Sequence, residues 1–332
     1  MSPEEQALAL IEAARAGDGR AVARLLRHVE DETEVGLAAW RRLFKAVGQA
    51  WVVGITGPPG VGKSTLICRL AQAYRERGLE VGVLAVDPTS PLTGGALLGD
   101  RIRMQELASD PGVYIRSLAT RGAVGGVARA TGRLVSVLDA LGYGVILLET
   151  VGAGQDEVEV AAIAGTTVLV LMPGQGDEIQ ALKAGLVEIA DIIVINKADR
   201  EGADQLAAQL RSVLRLGTTR SEGGDWTPPI IKTVAADGVG IGELLSAIES
   251  HRAFLVRSGR EAERRRAALR KVIWREVESL LLRRLSRDPA AGAEFEGLVQ
   301  RVEAGEFDPI AAAAVLLERL AAPVSARSNP DP

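Results

Sequence analysis

Residues 57 to 65, Gly57-Pro58-Pro59-Gly60-Val61-Gly62-Lys63-Ser64-Thr65, space two glycines, a lysine and a hydroxyl as G-x-x-x-x-G-K-S. That spacing lets backbone N–H groups converge on a phosphate, while a helix that follows adds its positive N-terminus. Lys63 can neutralise β- and γ-phosphate oxygens, and Ser64 can ligate Mg2+. The alternative is a plain glycine turn. An apolar β-type run before the stretch and a helix-like run after it favour the phosphate cradle.

A base reader lies downstream. Asn196-Lys197-Ala198-Asp199 follows the apolar run "DIIVI", where nucleotide-binding loops sit in parallel sheets. Asp199 can accept from both the N1–H and the 2-amino group of guanine, and adenine offers neither donor. Rejection is strong because the wrong base leaves a carboxylate unpaired. Alone, N-K-x-D also fits a helix-capping turn; after a phosphate loop, in this order, the base reading is favoured. In "TVAADGVGI" the backbone N–H of Ala235 would meet guanine O6. Asp87 and Glu149 end the runs "VGVLAVD" and "YGVILLE". A carboxylate there often caps the next helix, but two beside a phosphate cradle suit Mg2+, bound directly or through water. Gly152, in Glu149-Thr150-Val151-Gly152, takes the place of the glycine of D-x-x-G and would sense the γ-phosphate through its N–H.

These residues need a scaffold that brings strand ends to one edge. Seven aliphatic runs, beginning at "WVVGIT" and ending at "IIKTVA", alternate with helix-like segments. Such runs predict an α/β fold, a mostly parallel sheet between helices, over residues 48–250. Residues 1–47 read as a helical segment, with Ser2-Pro3-Glu4-Glu5 as its first N-cap. Residues 251–320 read as a C-terminal helical region in which Leu269, Ile273, Val277, Leu280 and Leu281 share one stripe; it is either a dimerisation region or a set of helices packed on their own α/β domain. Residues 321–332 read as a disordered tail.

The chain has 332 residues and a formal net charge of -4, which argues against a nucleic-acid partner. One cysteine, Cys68, and two histidines, His28 and His251, leave no material for a disulfide framework or a His/Cys metal cluster. No apolar run approaches the roughly 18 residues of a bilayer span. The expectation is a cytoplasmic protein with no membrane partner.

The strings "VDPTSPLTGGALLGDRIRM", "IRSLATRG", "ETVGAGQDEVEVA", "GDEIQALKAG" and "INKADR" resemble the MeaB/ArgK GTPases, which accompany methylmalonyl-CoA mutase. The resemblance runs through "IWREVESLLLRRL" and "GEFDPIAAAAVLLERL", nearly the whole chain. It implies a P-loop GTPase that converts GTP to GDP and acts as chaperone to an adenosylcobalamin-dependent acyl-CoA mutase. Such proteins are usually homodimers joined through C-terminal helices. It further implies Mg2+ carboxylates at Asp87, Asp100 and Glu149, with Asp100 in the first switch and Lys63, Asp100 and Glu149 as catalytic groups. Residues Gln175 to Lys183 resemble an additional switch. Ala123 and Val234 depart from the family pattern, where histidine and serine are expected. Gln155 lies three residues beyond Gly152, so a Ras-type water-positioning role does not carry over. Arg103 and Arg121 are candidates for an arginine finger. Three rivals remain open at this point: a phosphoryl-transferring ATPase of basic amino-acid transport, a metal-insertion GTPase, and a signalling GTPase.

Overall fold

A strand that is aliphatic at every position has no face to leave in water, so its sheet must be covered on both sides. The computed structural model describes residues 1–87, 107, 109–119, 126–150, 163–174, 185–217 and 226–321. Among them the seven aliphatic runs form seven strands: β1 (Trp51–Thr56), β2 (Val81–Asp87), β3 (Val113–Ala119), β4 (Val145–Thr150), β5 (Thr166–Leu171), β6 (Ile192–Ile195) and β7 (Ile230–Lys232). They build one sheet in the order β3-β2-β4-β1-β5-β6-β7, with each pairing parallel. The chain moves outward from β1 in both directions. The crevice at the carboxyl end of β1 is therefore the switch point where ligands settle in such sheets.

The helices are α1 (Pro3–Arg15), α2 (Gly19–Glu30), α3 (Glu34–Leu43), α4 (Lys63–Glu76), α5 (Gly126–Leu141), α6 (Leu186–Ile189), α7 (Ala203–Gly217), α8 (Ile241–Arg257), α9 (Arg260–Arg287), α10 (Pro289–Glu303) and α11 (Pro309–Ala321). On one face, Val53, Ile55 and Val168 pack against Leu66, Ile67 and Leu70 of α4 and Leu244 and Ile248 of α8. On the other, Leu84, Val86, Ile146 and Leu148 meet Leu134 and Leu138 of α5 and Leu25 and Leu26 of α2. The N-terminal helices thus share a core with the sheet. Farther along that face, Leu169, Ile193 and Ile195 lie in one cluster with Leu206 and Leu210 of α7.

Polar links hold the N-terminal helices in place. Glu32 pairs with Arg133 of α5 at 3.1 Å, and Glu30 with Arg116 of β3. The Asp139 carboxylate accepts from the N–H groups of Gln49 and Ala50 at 3.0 and 2.8 Å, fixing the entry to β1. The N-terminal cap forms as its spacing predicts: Glu5 N–H donates to Ser2 Oγ at 3.2 Å, and Ser2 N–H to Glu5 Oε2 at 2.9 Å.

Residues 1–268 and 269–332 form two compact units. In the second, α10 and α11 bury Ala291, Leu298, Ala312 and Leu320, and Arg319 pairs with Glu294. The apolar stripe of α9 stays largely uncovered, with Ile273 63% and Leu280 59% exposed. No helix among the described residues is long and apolar enough to cross a membrane.

In the first unit a buried polar knot lies at the amino ends of β5 and β6, opposite the ligand crevice. Asp191 accepts from Arg264 Nη1 and Nη2 at 3.0 and 2.8 Å and from Thr167 N–H at 2.9 Å. His251 is fully buried, its Nδ1 2.9 Å from Thr166 Oγ1 and its Nε2 3.2 Å from Asp191 Oδ1. Trp51 Nε1 donates to the same Thr166 hydroxyl at 3.0 Å. Burial pushes the Asp191 carboxyl up, but His251 and Arg264 beside it outweigh burial and hold it below the usual carboxylate range. A depressed pKa means the knot stabilises fully above the unfolded value near 4 and loses that contribution as pH falls through the lower folded value. Asp191→Asn is expected to cost about 2–3 kcal/mol at pH 7, since it leaves Arg264 without its anion. Urea unfolding at pH 7 and below pH 4 checks this: the gap between wild type and variant should shrink in acid.

Candidate functional site

The phosphate loop is built by backbone that only glycine can supply at two points. Gly57 follows β1 at φ +142°, and a Cβ there would stand 2.0 Å from the Val170 carbonyl of β5. Gly62, the N-cap of α4, has φ +96°, and a Cβ there would stand 2.4 Å from Asn196 Nδ2. Any larger residue would separate the loop from the neighbouring strand or from the downstream base loop. Val61 is buried in the core and anchors the turn, while Pro59 and Gly60 form its exposed rim.

Lys63 opens α4 and is buried. Its ammonium donates to the carbonyls of Gly57 at 2.7 Å and Pro58 at 3.0 Å, which holds the charge inside the turn. Next to it, Ser64 Oγ donates to Glu149 Oε1 at 2.7 Å, and Glu149 is buried near the end of β4. A hydroxyl and a carboxylate at this distance are hard oxygen donors of the type Mg2+ takes. Thr65 is half-buried one residue further into α4. Asp87 is the last residue of β2, the strand beside β4, at the same sheet edge.

The base loop is tied to the phosphate loop directly. Asn196 Nδ2 donates to the Val61 carbonyl at 2.8 Å, and its Oδ1 accepts from Thr233 Oγ1 at 3.0 Å and Ala235 N–H at 3.1 Å. Lys197 Nζ reaches back to the Gly60 carbonyl at 2.8 Å. Its backbone sits in the left-handed region, φ 54°, a strained conformation for lysine. Ala198 N–H donates to the Thr233 carbonyl at 3.0 Å, and Asp199 stands exposed at the mouth of the crevice.

Residues 57–65, Glu149, Asn196, Lys197 and Ala235 therefore converge, with Asp199 on the turn beside them. Asp100, Arg103, Arg121, Ala123, Gly152, Gln155 and the segment Gln175–Lys183 lie outside the described residues, as does the side chain of Asp87. Two residues that the sequence reading passed over also belong here. Thr233 braces the Asn196 amide, and Arg69 of α4 donates to the Ala235 and Ala236 carbonyls at 3.2 and 2.7 Å. Thr233 stands two residues before Ala235 and was open to notice. Arg69 had no motif to mark it.

A cradle of backbone amides and one buried cation, joined to a loop with a carboxylate at its lip, can hold a nucleotide by both ends. Comparison with known proteins agrees. Residues 12–290 match the family described as methylmalonyl Co-A mutase-associated GTPase MeaB. A Pyrococcus abyssi protein bearing a GTPase name is 49% identical over 311 residues, 94% of this chain and 96% of its own. The mitochondrial methylmalonic aciduria type A homolog of Mus musculus is 38% identical over 269 residues, 80% of this chain and 64% of that protein. A solved LAO/AO transport system kinase is similar with a TM-score of 0.70 at 25% identity, covering 97% of this chain and 100% of that one. The chain belongs to the MeaB family, and is a P-loop GTPase of the methylmalonyl-CoA mutase-associated group.

Proposed function

We propose that this GTPase hydrolyses Mg2+-bound GTP as a chaperone for an adenosylcobalamin-dependent acyl-CoA mutase, methylmalonyl-CoA mutase first among them, gating its cofactor loading. The observation that carries the reading is the match of residues 12–290 to a family of mutase-associated GTPases. The site geometry supports the nucleotide half. Gly57 to Thr65 wrap the phosphates, and Lys63 leaves the Gly57 and Pro58 carbonyls for β and γ oxygens; by its place in Glu149-Thr150-Val151-Gly152, Gly152 senses the γ-phosphate. Ser64 and Glu149 would hold Mg2+, with Asp87 and Asp100 as the further carboxylates the family resemblance implies. When bound, that ion neutralises charge on the β- and γ-phosphates. Asp199 reads guanine N1–H and the 2-amino group, the Ala235 N–H is shared between Asn196 Oδ1 and O6, and Asn196 and Lys197 hold the two loops together. Lys63, Asp100 and Glu149 form the catalytic set.

The transport-kinase name of a structural relative offers a second reading, phosphoryl transfer from ATP. Asp199 argues against it, because adenine has neither the N1–H nor the 2-amino donor that would meet that carboxylate.

A nucleotide alters a partner only through contacts that differ between the GTP and GDP states. Asp100, Gly152 and Gln175–Lys183 are the residues that would make them. The mutase is accordingly expected to bind differently to the GTP- and GDP-loaded chain, and to shift nucleotide affinity by the same factor. It should also accelerate hydrolysis. GTP turnover with and without the purified mutase checks this; equal binding in every nucleotide state with unchanged turnover would leave a GTPase with some other client.

The exposed apolar residues of α9 support a homodimer. Light scattering should give twice the 35.0 kDa of one chain. Ile273→Glu together with Leu280→Glu should return it to a monomer that still binds GTP. A monomeric native chain would remove the proposal.

A further inference from the structure

The turn that presents Ala235 cannot orient itself. It is a single 3-10 turn, Ala235–Asp237, and its first two residues carry only methyl groups. One side is closed by its own chain: Val234 N–H donates to the Val239 carbonyl at 3.1 Å, and Val239 N–H and Asp237 N–H return to the Val234 carbonyl at 3.2 and 3.0 Å. Asn196 Oδ1 accepts from the Ala235 N–H at 3.1 Å, and the carbonyl side is held by Arg69. Its Nε donates to the Ala235 carbonyl at 3.2 Å and its Nη2 to the Ala236 carbonyl at 2.7 Å, while Nη1 donates to Gln72 Oε1 at 3.2 Å. Two successive carbonyls thus meet the fixed fork of one guanidinium, a geometry lysine cannot reproduce. Among the described residues no carboxylate pairs with Arg69, so its charge is aimed at those peptide dipoles.

Arg69 lies six residues beyond Lys63 on α4, about 9 Å along the helix axis. The same helix that begins at the phosphate cradle therefore also grips the base loop. We propose that Arg69 is a positioning residue for base selection: it holds the turn so that the Ala235 N–H, which donates to Asn196 Oδ1 at 3.1 Å, can also be shared with purine O6 as a three-centre bond, and so sets the preference for a 6-oxo base. It touches neither base nor phosphate. The proposal rests on the guanine reading given above, and deepens it by naming what holds the O6 donor in place.

The test compares GTP, 6-thio-GTP and ATP on the full chain and on Arg69→Gln and Arg69→Lys. 6-Thio-GTP keeps the N1–H and 2-amino donors and replaces only O6, by a larger and weaker acceptor. Wild type should prefer GTP to 6-thio-GTP and reject ATP. In Arg69→Gln the GTP affinity should fall about tenfold, the scale of one well-placed hydrogen bond, while 6-thio-GTP changes less than twofold. Arg69→Lys, with the charge but without the fork, should keep part of the discrimination, and it carries the same comparison if Arg69→Gln does not fold. A variant with a lowered melting temperature and an unchanged GTP to 6-thio-GTP ratio would overturn the proposal and make Arg69 a stability residue only. Equal binding of GTP and ATP by the wild-type chain would instead overturn the guanine reading, and this inference with it.

Discussion

The arrangement at the crevice turns on one buried side-chain amide. Asn196 is 2% exposed, and each of its polar atoms is engaged: Nδ2 on the Val61 carbonyl, Oδ1 on Thr233 and on Ala235 N–H. An amide removed from water must be satisfied in this way or cost roughly 1–3 kcal/mol per orphaned group. Meeting that requirement joins three segments far apart in sequence: the phosphate loop, the end of β6 and the loop after β7. Gly62 follows from the same constraint, because a Cβ there would collide with Asn196 Nδ2. So does the strained backbone of Lys197, whose side chain returns to Gly60 and closes the second strut between the loops.

The sheet makes this geometry possible. Parallel strands deliver their carboxyl ends to one edge, so β1, β4 and β6 bring Gly57, Glu149 and Asn196 into one crevice although they stand 139 residues apart from first to last. The opposite edge serves a structural end. There Asp191, His251, Thr166 and Arg264 bind the start of α9 to β5 and β6. One end of the sheet is left for ligand chemistry, and the other anchors the helix that leads out of the first unit.

Much of this was legible in the residues themselves. The seven strands could be read because buried parallel strands are aliphatic throughout, and "WVVGIT" to "IIKTVA" mark them in order. The phosphate loop and N-K-x-D were legible because backbone geometry and base chemistry allow few residue types there. The Ser2 capping box was legible because its partners are three residues apart. What escaped notice depends on contacts between distant segments. His251 stood as an unremarkable residue in the sequence, yet it is enclosed between Thr166 and Asp191. Arg69 belongs to no motif, and it is the fold that lays α4 beside the Ala235 turn. Residues 1–47 read as a helical segment, and helical periodicity cannot say what a helix buries itself against; Leu25 and Leu26 lie in the same core as Leu84 and Ile146.

The central claim is that the loop held by Asn196 selects guanine through the carboxylate of Asp199, and exchanging that carboxylate for an amide tests it most directly. Xanthine replaces the 2-amino donor with an oxygen, so an amide at 199 can donate where the acid accepted. Titration of the Asp199→Asn chain with GTP and xanthosine triphosphate is the measurement. The account predicts that GTP binding weakens by about 2–4 kcal/mol while xanthosine triphosphate becomes the tighter ligand. An unchanged preference for GTP would contradict it.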